Sequence, residues 1–248
     1  MRKLFFCARN FKDYLDVKEE ERAAIDAVEI TARDILNNEQ SQDILYSHMK
    51  IYDDCDIGCD APISGRTNIE GLRLDFNFGL RLDVPEGHFH VTIGDYDSDL
   101  TFLDEDLSDV RLISVEKYFI RWRVDIFLDG EKVLSHVLNL DGQDVTICLR
   151  IEGLGDALAI LPFAREFKRQ HNCKLSILVP EYLREFAAHL YPDIAQVDGL
   201  SFENYANYYP VMCVSDYPKT PVDLRNCPME RIAGAILGIE TFPAKPTF

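Results

Sequence analysis

The sequence has no stretch near the ~18 consecutive apolar residues that a membrane-spanning helix needs. Its first residues, Met1-Arg2-Lys3-Leu4-Phe5-Phe6-Cys7-Ala8, form too short an apolar run for a secretion signal. Arg9, Lys12 and Asp13 end it short of the roughly 7–15 apolar residues required. The expected location is cytoplasmic. Cations are scarce: 26 Lys and Arg stand against 43 Asp and Glu, a formal net charge of −17. Such a chain repels phosphate backbones, which argues against nucleic-acid binding. Most of the acids precede residue 145, and the remainder is nearly balanced.

A disulfide framework is missing as well. The seven cysteines, Cys7, Cys55, Cys59, Cys148, Cys173, Cys213 and Cys227, are odd in number and scattered. Only Cys55 and Cys59 are close, and their C-x3-C spacing has no second Cys or His pair at a zinc-like distance. There is no internal repeat, no low-complexity segment and no Walker A sequence. Gly153 and Gly155 fall short of G-x-G-x-x-G, and no acidic residue follows at the ribose-binding distance, so a nicotinamide cofactor is not favoured.

What is present changes pattern along the chain. In residues 18–37, Ala24, Ile25, Val28, Ala32, Ile35 and Leu36 recur at helical spacing, with charges opposite. Residues 38–68 are polar and irregular. From Leu72 to Val84 every second residue is apolar, the pattern of β-structure with one buried face. Phe89, Val91 and Ile93 continue the alternation. After an acidic loop, Tyr118, Ile120, Trp122, Val124, Ile126 and Leu128 repeat it. Asp129-Gly130 and Asp141-Gly142 are turn signals. Near residue 145 the pattern shifts to short, continuously apolar strands alternating with helices: Val145–Leu149, a helix over 156–170, Leu175–Val179, a helix over 181–190, an apolar segment at Val197, Val211–Val214 and a helix near 228–237. The expected fold is therefore α/β with an all-β module: a small antiparallel barrel or sandwich, then one Rossmann-like parallel sheet. The expected divisions are a helical and irregular extension over 1–65, the β-module over 66–143 and the Rossmann-like part over 144–248.

In an open parallel sheet, ligands bind beyond the carboxyl ends of the strands. Those ends carry Gly153–Asp156, Pro180-Glu181 and Ser215-Asp216. The glycines let the backbone turn sharply and approach a ligand. Asp156, at a helix start, has two readings: an N-cap for orphan N–H groups, or a carboxylate that takes a proton from an attacking hydroxyl. His88 and His90 alternate with Phe89 and Val91 and are either solvent-facing or a metal pair. Lys117, Arg121 and Arg123 are either a charge ladder or a patch for acidic groups. Arg165, Lys168 and Arg169 crowd a helix end, where cations suit the dipole.

Gly155-Asp156-Ala157-Leu158-Ala159-Ile160-Leu161-Pro162 and the following Ala164–Arg169 resemble the first strand-to-helix turn of heptosyltransferases, enzymes of the GT-B fold. Leu74–Arg81, Pro85–Val91 and Glu116–Trp122, in that order, are similar to the amino-terminal β-domain of the bacterial autotransporter O-heptosyltransferases. The resemblance covers roughly residues 70–245. It implies transfer of heptose from ADP-heptose to serine hydroxyls of an autotransporter passenger domain. It also implies a general-base role for Asp156, with Gly153, Gly155, Ser215 and Asp216 on the acceptor and phosphate side. The sequence departs from the family in carrying an acidic extension in front and in ending at Phe248, where the interdomain hinge begins. The donor-binding half, with the family's cysteine-ligated iron site, is then absent, and no cofactor is expected in this chain. The chain alone is expected to be inactive, or a non-catalytic acceptor-binding or assembly remnant. Self-association into a homo-oligomer through the β-strands is expected as well.

Overall fold

The computed structural model describes residues 2–6, 60–149, 154–210, 221–222 and 227–239. The expected helix at 18–37 and the Cys55/Cys59 pair lie outside them. Among the described residues, twelve strands form two sheets. The strands are β1 (Arg2–Phe6), β2 (Arg73–Asn77), β3 (Arg81–Val84), β4 (Phe89–Asp95), β5 (Thr101–Leu107), β6 (Val110–Ser114), β7 (Trp122–Leu128), β8 (Glu131–Val137), β9 (Asp144–Cys148), β10 (Lys174–Leu178), β11 (Ala195–Gln196) and β12 (Ala206–Tyr208). Helix α1 (Leu154–His171) joins β9 to β10, a 3-10 turn with α2 (Arg184–Leu190) joins β10 to β11, and α3 (Met229–Leu237) follows β12.

The strands of residues 66–143 do not close into a module of their own. β4, β5, β7 and β8 make a four-stranded antiparallel sheet, ordered β5-β4-β7-β8. β2, β3 and β6 instead continue the parallel strands in one eight-stranded sheet, ordered β1-β6-β3-β2-β12-β9-β10-β11. The seam is the parallel pairing of β2 with β12, Phe76 beside Ala206 and Asn77 beside Asn207. Alternation reveals that a strand has a buried face but not which strand it pairs with, so this seam has no local sequence signal. The strand expected at 211–214 lies outside the described residues; Ala206–Tyr208 fills the place beside β9.

The single alternating run Leu72–Val84 is two strands. Phe78 and Gly79 form the hairpin turn between them, both with positive φ (58° and 89°). Only glycine fits the second position: a Cβ on Gly79 would stand 2.3 Å from Glu116 O and from Ser114 Oγ. At Asp129-Gly130, φ is again positive at both residues, as the sequence signal for a two-residue hairpin requires. Strands β5 and β6 occupy the stretch expected to be an acidic loop. Leu103, Leu107, Val110, Leu112 and Ile113 are their buried apolar residues.

One face of the large sheet and the inner face of the small sheet feed a single hydrophobic cluster. Leu74, Phe76, Leu82, Val84, Val145, Ile147, Leu175 and Ile177 share that face of the large sheet by register. The small sheet contributes Val91, Ile93, Trp122, Val124 and Ile126, and α1 contributes Ile160, Ala164 and Phe167. The Phe76 ring stacks on His136 of β8 at 5.7 Å, tying the two sheets together. Helices α1 and α3 meet where Gly234 faces Phe163; a Cβ there would be 3.1 Å from the ring.

The opposite face of the large sheet is polar and yet buried. Asp75, Asn77, Arg81, Asp83 and Asn207 are each less than a tenth exposed. Arg81 grips Asp75 through Nε (2.8 Å) and Nη2 (2.6 Å) and donates to the carbonyls of Ala61 and Pro62. Arg111 grips Asp83 in the same way, at 2.6 and 2.9 Å. Farther along, Asn77, Asn207, Thr146 and Ser176 form one row across four neighbouring strands. This row holds the helix-free crossover between β11 and β12. Asn77 donates to the carbonyls of Phe202 and Asn204, Asn207 donates to Ser201 O, and Asn204 donates to Thr146 Oγ1. Backbone carbonyls of this partly exposed loop need partners where it lies on the sheet; here side-chain amides supply them.

His171, at the end of α1, lies between the rings of Phe119 (4.8 Å) and Phe167 (4.4 Å). Burial pushes its pKa down to about 4 from 6.5. The unfolded chain then binds the proton more tightly. Stability is complete above pH 6.5 and falls as pH drops through 6.5 towards 4. The loss should be roughly 2–3 kcal/mol after allowance for water at the half-buried ring. His136, also lowered by burial, acts in the same direction. Urea unfolding at pH 7.5 and 4.5 checks this: His171→Phe should remove most of the difference attributed to this ring. An equal acid loss in that variant would place it elsewhere.

Candidate active site

β9 and β10 remain paired to their carboxyl ends, where Leu149 N donates to Leu178 O at 2.7 Å. α1 begins beyond that edge. It forms because Ala157, Ile160, Leu161, Ala164 and Phe167 recur at three- and four-residue spacing and are buried on the sheet. Asp156 lies in its first turn, and Lys168, Arg169 and His171 in its last, matching the helix dipole. Pro162 sits inside the helix, as the sequence indicated, where it removes one backbone donor.

The helix starts at Leu154, two residues ahead of Asp156. Asp156 is therefore the third helical residue, inside the first turn of α1. Leu154, Gly155 and Asp156 are all exposed. Around Gly155 there is open space, with no heavy atom within 4 Å of a would-be Cβ. Among the described residues, the helix start thus presents an exposed carboxylate at the positive end of the helix dipole, an arrangement able to take a proton from an arriving hydroxyl and hold an anionic group. Gly153, Ser215 and Asp216 lie outside the described residues. At the end of β10, Glu181 is engaged locally, 3.1 Å from Arg184, which also pairs with Asp198 at 2.5 Å.

The other sequence candidates resolve into structural contacts. His90 bridges two acids of β5, with Nδ1 to Asp106 and Nε2 to Asp104, each at 2.8 Å. The hydrogen bond with Asp106 leads the factors that raise its pKa. Arg121 pairs with Asp97 and Arg123 with Asp99, acids of the β4–β5 turn, while Asp125 takes Lys132 and Ser135. Lys117 departs from the expected strand face: it is buried in the loop before β7 and donates to Ser114 O at 2.8 Å. The sequence did not reveal the buried ion pairs Asp75–Arg81 and Asp83–Arg111. Asp75 and Arg81 face each other across the β2–β3 hairpin, which is visible only once Phe78-Gly79 is known as the turn; Asp83 and Arg111 face each other across β3 and β6, a pairing with no local signal.

Among the described residues, no group of three or more His, Cys, Asp and Glu could hold a metal, and no helix is long and apolar enough to cross a membrane. Residues 69–130 match the family model described as "Glycosyltransferase TibC, N-terminal domain". The chain is 33% identical over 177 residues to autotransporter heptosyltransferase BAHTCr of Citrobacter rodentium, covering 69% of this chain and 43% of that protein. It is 34% identical over 125 residues to the inactive autotransporter heptosyltransferase BimC of Burkholderia thailandensis, covering 50% of this chain and 30% of that one. Its fold is similar to the crystal structure of the iron-containing dodecameric glycosyltransferase TibC from enterotoxigenic E. coli H10407, with TM-score 0.67, 31% identity and coverage of 72% of this chain and 49% of that one. TibC has also been crystallised with ADP-D-beta-D-heptose. The chain spans less than half the length of these curated relatives. Fold and sequence together place this chain with the autotransporter heptosyltransferases, over the amino-terminal part of that family.

Proposed function

We propose that this chain forms the acceptor side of a cytoplasmic glycosyltransferase that passes heptose from ADP-heptose to serine hydroxyls of an autotransporter passenger domain. The observation that carries the reading is the exposed Asp156 on the open first turn of α1. A serine hydroxyl hardly ionises at neutral pH, so a placed carboxylate that removes the proton during attack lowers the barrier. The ADP-heptose complex of the similar protein TibC supports the choice of donor. Gly155 leaves room for the acceptor, and the family resemblance assigns Gly153, Ser215 and Asp216 to the same side. The test combines this chain with a donor-binding half, ADP-heptose and a purified passenger domain, and follows intact mass. Stepwise addition of heptose supports the reading; an unmodified passenger domain with functional donor binding rejects it.

A second reading is a non-catalytic acceptor-binding or assembly protein. It is favoured by the similarity to BimC, named as inactive. In either case the chain should self-associate through its strands, as the dodecameric TibC suggests. Light scattering behind size exclusion should show one discrete oligomer. A clean monomer for the intact chain contradicts this.

A further inference from the structure

A cavity of about 380 Å³ opens at the end of the small sheet, where the loop before β7 passes the β4–β5 turn. Small-molecule sites begin near this size, roughly 300 Å³. Phe102, Tyr118 and Ile120 supply apolar wall, and Asp95, Asp97 and Arg121 supply polar rim. The rim is fixed in advance. Asp95 accepts from Asp97 N (3.1 Å) and Ser98 Oγ (2.6 Å). Arg121 donates to Asp97 Oδ1 at 3.0 Å while its guanidinium lies 4.3 Å from the Tyr96 ring centroid. Asp97 Oδ2 accepts no hydrogen bond from the described residues, and its side chain is 59% exposed. Leu100 also lines the cavity and is 60% exposed, an apolar side chain held in water.

These features select a ligand class. Two carboxylates against one guanidinium leave a negative rim, which repels phosphates and carboxylates. A wholly apolar ligand would strip water from the carboxylates with no replacement bond. A neutral polyol satisfies both halves: its hydroxyls donate to Asp95 and Asp97, its oxygens accept from Arg121, and its C–H face lies on Leu100 and Phe102. We propose that this cavity binds a sugar residue, at a place separate from the α1 turn where transfer is assigned. That the sugar is the heptose of an already modified passenger domain rests on the proposed function; the preference for a neutral polyol does not.

Saturation-transfer NMR and calorimetry on the full chain test the proposal with three probes: a methyl heptoside, a heptosylated passenger peptide and the same peptide unmodified. Saturable binding of the methyl heptoside is expected, weakened about tenfold or more by Asp97→Ala, as loss of a charge-assisted hydrogen bond implies. Leu100→Ser touches no ion pair and should weaken it about threefold. Tighter binding of the glycopeptide identifies protein-borne glycan as the source, and equal binding identifies free sugar; either supports the site. Absence of saturable sugar binding, sugar binding unchanged in Asp97→Ala, or equal binding of the unmodified peptide and the glycopeptide overturns it. The measurement involves neither donor nor Asp156, so its failure and a failure of the transfer reaction are distinguishable.

Discussion

Replacing Asp156 with Ala, in a protein that unites this chain with a donor-binding half, should slow heptose transfer by roughly 10²–10⁴-fold, the usual contribution of a positioned general base. The residue's place in α1 makes the test clean. Asp156 is exposed in the first helical turn. Its loss removes a favourable charge from the helix amino terminus, which is worth about 1 kcal/mol at most. Folding should therefore survive a substitution that removes most of the activity. Asp156→Asn sharpens the result, because the amide keeps the size and polarity of the side chain but cannot take the proton. Equal, severe loss in both variants with a nearly unchanged melting temperature supports the base. Full activity in Asp156→Asn would show that the side chain only shapes the helix start.

Asp75→Ala should be the most damaging single change to stability, at roughly 3–5 kcal/mol, because it leaves the buried Arg81 charge without its carboxylate. Both side chains are 1% exposed. Asp75 further accepts from the backbone N–H of Asn77 and of Ser64, so its loss also loosens the turn of β2 and the segment that covers it. Against a typical total stability of about 5–15 kcal/mol, this is a large fraction. The double variant Asp75→Val with Arg81→Met should recover much of the loss, since a buried ion pair often gains little over well-packed apolar residues. Chemical unfolding of the three proteins decides the matter. A loss below about 1 kcal/mol in Asp75→Ala would be that of a solvated surface pair and would contradict the burial.

Asp75 also marks where sequence reading stops. Alternation correctly picked Leu74, Phe76, Leu82 and Val84 as a buried face, and the same logic placed Asp75, Arg81 and Asp83 in solvent. They are buried because residues 61–64 lie across them, with Phe202 packed 5.3 Å from the Arg81 guanidinium. Those covers come from distant parts of the chain, and no local pattern announces them. β5 escaped notice for a related reason: as a sheet edge rich in Asp and Glu, it has the composition of a loop. By contrast, α1 combines helical spacing with a basic last turn, local features that the sequence states directly. The Gly-Asp turn into that helix was legible too. The two residues of helix ahead of Asp156 were not, because helix ends are set within a residue or two by contacts that periodicity does not report.

The seam between β2 and β12 also bears on how the chain acquires its structure during synthesis. The small sheet is built from neighbours in sequence, β4 with β5 and β7 with β8, and such local pairings form early. β2 has no such independence: Asn77 waits for Asn207, about 130 residues later. At ribosomal rates of about 5–20 residues per second, that is a delay of many seconds. Throughout it, one long edge of β2 stays open to pairing with another chain. The helix-free crossover arrives just before β12 and brings the backbone carbonyls that Asn77 bonds, so the closing of the sheet and the capture of its last loop are one event.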